Sequence, residues 1–339
     1  MIETLLFGFA FVATTAGISV FKRSVKNPKL LDIPNERSSH EKPTLRGAGV
    51  VVVLVCLASY IVLSVFLGDG PNWGFLGGAL LIAAVSWVDD LVSLPAALRL
   101  VVHGAAAMIV TAYSGPIPSA VVPGLGGPIE LGWAAFPLTV VWLVWMINAY
   151  NFMDGIDGIA GAQAVVAGVG WTALAIMTGM PLIYFFGGVL AFSALGFLMH
   201  NWSPASVFMG DVGSAFFGFA FASMPVIAGP GERTGREWLF PAAVCILWPF
   251  LFDTIYTFIR RLYRGEKFWQ AHRQHLYQRL VISGSSHPTV SLIYACFSLL
   301  CTCAFLAAMR STSAFAFVVP VSFSVAAITL TLLAHRKNI

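Results

Sequence analysis

Long apolar runs constrain this chain more than any other feature. Runs of about 17–25 residues, enough for a helix to cross the roughly 30 Å hydrocarbon core of a bilayer, recur about eleven times. They lie near 3–21, 47–67, 73–90, 98–115, 134–149, 158–178, 181–199, 213–229, 238–259, 288–308 and 314–334. Hydrocarbon offers no partner to backbone N–H and C=O groups, so such runs fold as helices. The expected fold is an all-α integral membrane protein, a polytopic bundle of about eleven transmembrane helices. Only 10% of residues are charged, against about 25% in soluble domains. The longest polar stretches, 22–46 and 260–287, are too short to form a soluble domain of their own. A single membrane domain over 1–339 is therefore expected.

Charge order sets the expected orientation. Glu3 precedes the first apolar run and Lys22-Arg23 follow it, the reverse of a cleaved signal peptide. This run is expected to stay as a span with an external, periplasmic N-terminus, and eleven spans then put the C-terminus in the cytoplasm. In that arrangement 16 of the 19 Lys and Arg residues are cytoplasmic, and Arg233, Arg236 and Arg310 are the exceptions, as the positive-inside rule requires. The expected cytoplasmic loops lie near 22–46, 89–99, 148–158, 200–213 and 260–287. The Gly- and Pro-bearing stretch 116–128 reads as an ordered external loop or hairpin. The five cysteines all lie inside apolar runs, with neither metal-site spacing nor a disulfide framework.

Against this apolar background, a few carboxylates stand out. A charged side chain in hydrocarbon costs roughly 2.5–3.5 kcal/mol on insertion scales, so acids at a membrane edge need a task or a cation. Asn148, Asn151, Asp154 and Asp157 are spaced by three. On a straight helix, consecutive members turn about 60° around the axis and cannot converge. Gly155 and Gly158 imply that the helix ends there and the backbone wraps inward, which is tolerated where it lines a watery cavity. Asp89-Asp90 ends another run. Adjacent helical residues point about 100° apart, so the two acids should have different partners, with Arg99 nearby as a counter-ion. Phe208-Met-Gly210-Asp211-Val-Gly213-Ser214 opens a further run. A helix start attracts phosphate, and an Asp there can hold a hard cation. Together these motifs read as a magnesium and phosphate site at a membrane surface. Helix caps, a polar interhelical loop and a small-residue packing face are the plainer alternatives for each motif alone.

Two loops add basic groups. The first, Asp32-Ile-Pro34-Asn35-Glu-Arg37-Ser-Ser-His40-Glu-Lys42-Pro43-Thr44-Leu-Arg46-Gly47, has the prolines and cations of a shaped phosphate-facing loop. The last, His272-Arg273-Gln274-His275-Leu-Tyr277-Gln278-Arg279, lacks enough fixed ligands for zinc. It suits phosphate or sugar contacts, with a lipid-headgroup patch as the alternative. His103, inside an apolar run, reads as a hydrogen-bonding residue of the bundle.

The order of these motifs resembles that of the polyprenyl-phosphate N-acetylhexosamine-1-phosphate transferases, the superfamily that includes phospho-N-acetylmuramoyl-pentapeptide transferase. The likeness spans nearly the whole chain. It implies ten or eleven transmembrane helices around a cytoplasmic cleft in the bacterial inner membrane. It also implies transfer of a sugar 1-phosphate from a UDP-N-acetylhexosamine to undecaprenyl phosphate, releasing UMP. Magnesium is the implied cofactor, with manganese as a substitute. By the same resemblance Asp211 holds the metal. Asp89 and Asp90 position or deprotonate the lipid phosphate, and Asp154 and Asp157 join them as catalytic carboxylates. Asn148, Asn151, Asn201, Phe208, Lys42, Thr44, Arg99, His272, Arg273 and His275 are the implied substrate-binding residues, with Phe208 stacking on uracil. Many relatives carry a histidine cluster where this chain has Tyr277-Gln278. The His272-Arg-x-His275-Leu-Tyr version resembles members that begin O-antigen chains, some with 6-deoxy sugars such as N-acetylfucosamine, and Tyr277→His is then expected to shift donor preference. A muramoyl-pentapeptide donor and a lipid-linked sugar transporter or flippase are the competing expectations. A homodimer is compatible with the pattern, and no nucleic-acid partner is expected.

Overall fold

The computed structural model describes residues 2–25, 27–34, 43–125, 127–228, 235–266 and 272–335. The helices in chain order are α1 (Ile2–Ser24), α2 (Gly49–Phe66), α3 (Trp73–Val92), α4 (Ala96–Ser114), α5 (Ala135–Met153), α6 (Ile159–Thr178), α7 (Pro181–Asn201), α8 (Asp211–Ile227), α9 (Leu239–Ile246), α10 (Trp248–Tyr263), α11 (Leu276–Ile282), α12 (His287–Ala308) and α13 (Thr312–His335). Among the described residues nine helices are long and apolar enough to cross a membrane, or ten when the bent α9–α10 pair counts as one span. The apolar run expected near 213–229 is α8, a shorter helix of 17 residues.

Where each helix starts and stops follows from local chemistry. Asn72 caps α3 through its side chain and Ser286 caps α12 in the same way, each satisfying an N–H that the first turn leaves without a partner. Proline at the first turn of α7 and α12 suits a position with no intrahelical donor to lose. The single span expected over 238–259 is instead broken by 65° between α9 and α10. Pro249, just past the break, has no N–H and its ring crowds the preceding turn. Trp248 stacks on Phe323 of α13 at 3.8 Å between ring centroids and holds the kink in place.

The innermost helix is α8. Every residue from Val212 to Ile227 is buried, which is the pattern of a helix with protein on all sides. It packs against α3 and α5, and its Phe217 and Phe221 stack at 5.7 Å between centroids. By contrast α1 and α13 expose Leu5, Phe9, Val12, Phe317, Val325 and Leu332. An apolar surface of this extent faces lipid or a partner, not water.

Two small antiparallel sheets accompany the helices. β1 (Leu31–Asp32) pairs with β2 (Thr44–Leu45), and β3 (Ser119–Val121) pairs with β4 (Pro128–Glu130). The second pair is the hairpin expected within 116–128. The first lies at the opposite end of the bundle, with the loops that carry the motifs.

Candidate functional site

The site is framed by a backbone zip between the first loop and the segment before α8. Leu45 of β2 bridges Val207 in parallel register. The Phe208 N–H donates to the Leu45 carbonyl at 2.8 Å, and the N–H groups of Ala48 and Gly49 donate to the carbonyls of Phe208 and Met209 at 3.2 and 2.8 Å. A Cβ on Gly49 would stand 2.4 Å from the Gly213 Cα, so only a glycine lets the two backbones come this close. Thr44 is buried within this zip, and Lys42 lies outside the described residues.

Asp89 and Asp90 take different partners, as their helical offset requires. Asp90 is 2% exposed, and its carboxylate accepts the Asp211 and Val212 N–H groups at 3.1 and 3.2 Å. It therefore caps α8. The first amides of α8 are thus satisfied by Asp90 instead of open to phosphate, and any role of Asp90 in positioning the lipid phosphate would be added to this capping. Arg46 donates to the Asp90 carbonyl at 2.5 Å. Asp89 accepts the Leu94 N–H through Oδ1 and Arg99 Nη1 through Oδ2, at 2.5 and 2.7 Å. The same Nη1 reaches Asp211 Oδ2 at 2.9 Å. The side chains of Arg99 and Asp211 retain 28% and 32% of their surface, so this ion pair opens onto the cleft.

α5 ends at Met153 and α6 begins after Gly158, which is the inward wrap expected at the two glycines. Asn151 donates to Ser214 Oγ at 3.0 Å. Asp154 is half-buried between these elements. Burial, and then the charges of Asp211, Asp90 and Asp157, push its carboxyl up to about 8. Asp157 behaves in the opposite way. Burial alone raises it, yet His287, the Ala205 N–H and the Ser203 side chain outweigh that and hold it below the usual carboxylate range. Asp157 Oδ2 accepts Ala205 N at 3.1 Å and lies 3.5 Å from His287 Nδ1.

Several of the residues expected at the site also make bonds within the framework. Asn201 accepts the Gly158 N–H at 2.9 Å and donates to the Val207 carbonyl at 2.9 Å, clamping the α5–α6 turn to the zip. Asn148 donates to its own helix at the Val144 carbonyl, 2.7 Å away. Asp157 ties that turn to α12. His275 is 5% exposed and pairs with Asp253 Oδ1 at 3.1 Å. Each residue has at least one polar atom engaged within the chain, and an engaged buried group is costly to release. Arg99, Asp89, Asp154, Asp211, Asn151 and the half-buried Phe208 remain grouped around the opening, while His272 and Arg273 sit half-buried in the late loop.

The donor chemistry fits magnesium. Among the described residues no group of three or more His, Cys, Asp or Glu side chains converges on one point. Magnesium does not need that, since it keeps several waters and takes one or two carboxylates plus substrate phosphate. The oxygens are hard, and the neighbouring carboxylates that add to burial in raising Asp154 make a field that a divalent cation would relieve.

Arg46 and Ser214 stand in the expected motifs without a role of their own, and His287 was not foreseen. Asp253, a lone acid inside an apolar run, was readable as one of the acids on the cytoplasmic side, but its partners were not.

Residues 72–229, from the start of α3 through α8, match the family described as Glycosyl transferase family 4. Over that stretch, which carries most of the carboxylates of the site, the chain is similar to this family. It is similar to a probable undecaprenyl-phosphate N-acetylglucosaminyl 1-phosphate transferase of Bacillus subtilis, 26% identical over 84% of this chain and 80% of the relative. It is also similar to a decaprenyl-phosphate N-acetylglucosaminephosphotransferase of Mycobacterium leprae, 28% identical over 77% of this chain and 72% of the relative. A phospho-N-acetylmuramoyl-pentapeptide-transferase of Synechococcus is 32% identical over 56% of this chain and 58% of the relative.

Proposed function

We propose that this chain transfers N-acetylhexosamine 1-phosphate from a UDP-N-acetylhexosamine to undecaprenyl phosphate and releases UMP. The reading rests on one observation above all: Arg99 joined to Asp89 and Asp211, with Asp154 beside them, at one loop-bearing end of an apolar bundle. A transporter would carry its acids near the middle of the bilayer, often at paired broken helices. The positive-inside pattern supports a cytoplasmic site in the bacterial inner membrane, where nucleotide sugars are available.

The chemistry brings two anions together. An oxygen of the lipid phosphate attacks the sugar-bearing phosphorus, and the bond from that phosphorus to the UMP oxygen breaks. A phosphate monoester with a second pKa near 6 is already mostly dianionic at neutral pH, so the protein's main work is positioning and charge compensation. Arg99 meets the incoming phosphate, and Asp89 fixes the direction of its guanidinium. Asp211 would hold magnesium, with manganese as a substitute, and Asp154 lies next to that position. A bound magnesium ion would neutralise the diphosphate and the leaving UMP charge. Phe208 offers a ring for uracil, and Asn151 a side-chain amide for the nucleotide.

The donor we favour is UDP-N-acetylglucosamine or a 6-deoxy form such as UDP-N-acetylfucosamine, in the first membrane step of O-antigen or a related surface polysaccharide. The His272-Arg273-Gln274-His275-Leu-Tyr277 sequence supports it. A muramoyl-pentapeptide donor is the competing reading, because a transferase of that name is among the relatives. Purified protein with undecaprenyl phosphate and magnesium should release UMP from one of the N-acetylhexosamine donors and not from UDP-MurNAc-pentapeptide. Release from the pentapeptide donor alone would reassign the substrate, and release from none would reject the reading.

A further inference from the structure

The late loop does more than face the cleft. Asp253 of α10 is 0% exposed and accepts five hydrogen bonds. Oδ1 takes Thr257 Oγ1, His275 Nδ1 and the Leu276 N–H at 3.1, 3.1 and 2.9 Å, while Oδ2 takes the Tyr277 N–H and the Tyr294 hydroxyl at 3.1 and 2.6 Å. A buried carboxylate is tolerated when its oxygens are satisfied in this way. One side chain thus holds α10, the start of α11 and α12 together.

Tyr277 carries that anchorage to the carboxylate cluster. It is 1% exposed, and its hydroxyl donates to the Phe152 carbonyl at 3.0 Å. Phe152 is in the last turn of α5, where carbonyls lose their intrahelical donors. The Tyr277 ring lies against Gly155, where an added Cβ would stand 2.1 Å from the hydroxyl oxygen and 3.1 Å from Cζ. Phe152 and Gly155 flank Asp154 closely in sequence. Tyr277 therefore grips the turn carrying Asp154 from both sides, and its only polar side-chain atom is spent on the backbone.

We infer that Tyr277 is a positioning residue, which sets the place of Asp154 through Phe152 and Gly155 instead of reading the donor sugar. This rests on the transferase reading above and names a part of its machinery that motif order did not reveal. It replaces the expectation that Tyr277→His shifts donor preference. Tyr277 is buried and its hydroxyl is engaged with the turn, so its changes should act on turnover for every donor alike. A misplacement of about 1 Å in a reacting constellation costs up to roughly 100-fold in rate.

The test measures UMP release with two UDP-sugars for wild type, Tyr277→Phe, Gly155→Ala and the double variant, with unfolding midpoints in parallel. Tyr277→Phe should lower kcat by about tenfold or more, leave each donor KM within about twofold, and preserve the ratio of kcat/KM between donors. Gly155→Ala should match it, because the new methyl displaces the hydroxyl. In the Tyr277→Phe background the same methyl meets no oxygen, so the double variant should be far less damaged than the product of the single effects, in kcat and in unfolding midpoint. Additive effects, or a changed donor ratio with kcat intact, would overturn the inference. A wild-type protein that releases no UMP from any donor rejects the transferase reading. The non-additive unfolding midpoints still decide whether Tyr277 and Gly155 form the strut.

Discussion

Arg99 Nη1 lies 2.7 Å from Asp89 Oδ2 and 2.9 Å from Asp211 Oδ2. One guanidinium thus bridges acids from two helices that are more than a hundred residues apart in sequence. It is a cation held where the proposed metal and phosphate would meet. Arg99→Gln should leave two acids facing each other, lower the unfolding midpoint without magnesium, and raise the midpoint gained on adding magnesium above the wild-type gain. Turnover should fall at least tenfold with every donor. Thermal unfolding in detergent across a magnesium titration, paired with UMP release, reads both effects. An unchanged magnesium response would remove Arg99 from the metal's surroundings.

Asp211→Asn keeps the shape of the side chain and removes one charge. Its carboxylate oxygen would be the metal donor, so the variant should need more magnesium for half-maximal UMP release, with partial recovery at high magnesium. Wild-type activity at limiting magnesium would reduce Asp211 to a helix-start residue.

Asn201→Ala removes both ends of a clamp. The Gly158 N–H and the Val207 carbonyl lose their partner, and each buried group left unsatisfied costs about 1–3 kcal/mol. The unfolding midpoint should drop and kcat should fall equally for all donors. A selective change in one donor's KM would instead return Asn201 to the substrate.

Stability should depend on pH through Asp154. Its carboxyl is pushed up to about 8 in the folded chain, against roughly 4 in an unfolded one. Between those values the folded state binds the extra proton, so this contribution is full below about 4 and is lost as pH rises through about 8. The magnesium-free unfolding midpoint should therefore decline from pH 6 to pH 8.5. Asp154→Asn should flatten that decline, and so should saturating magnesium. An equally steep profile in Asp154→Asn would assign the slope to another group.

Orientation is testable with single cysteines at exposed loop sites. Ser206→Cys, beside the zip, should react with a membrane-impermeant thiol reagent only when the cytoplasmic face is open. Leu125→Cys, near the β3–β4 hairpin, should react from outside. The reverse pattern would invert the proposed topology.

The helices were legible because lipid imposes one simple rule, an apolar run of sufficient length, and ten of the eleven expected runs coincide with one helix each while the run 238–259 is the bent α9–α10 pair. The break at Pro249 was missed because the run 238–259 satisfies the length rule without a break, and a proline near its middle can kink a span without ending it. In the site, Asp89, Asp211, Arg99 and the turn at Gly155 could be read from charge and glycine placement. The roles of Asp90, Asn201 and His275 could not. Their partners, Val212, Gly158 and Asp253, are brought near only by packing of helices distant in sequence. A polar residue at a membrane edge looks the same in sequence whether it faces a ligand or a backbone amide.

The bridge from Leu45 to Val207 also has a consequence in time. A chain emerging from the ribosome is built N-terminal first, at about 5–20 residues per second. Strand β2 has no second partner until the segment before α8 arrives, and Arg99 has no Asp211. A nascent chain ending at the close of α7 would hold most of the apolar helices and the Arg99–Asp89 pair, but not the Asp211 half of the site. The carboxylate cluster therefore comes together only when α8 enters the middle of helices already present, and the Tyr277 contact with the Asp154 turn follows later, with α11. A ribosome-stalled series should show protection of residues 44–49 only after Gly213 has been made.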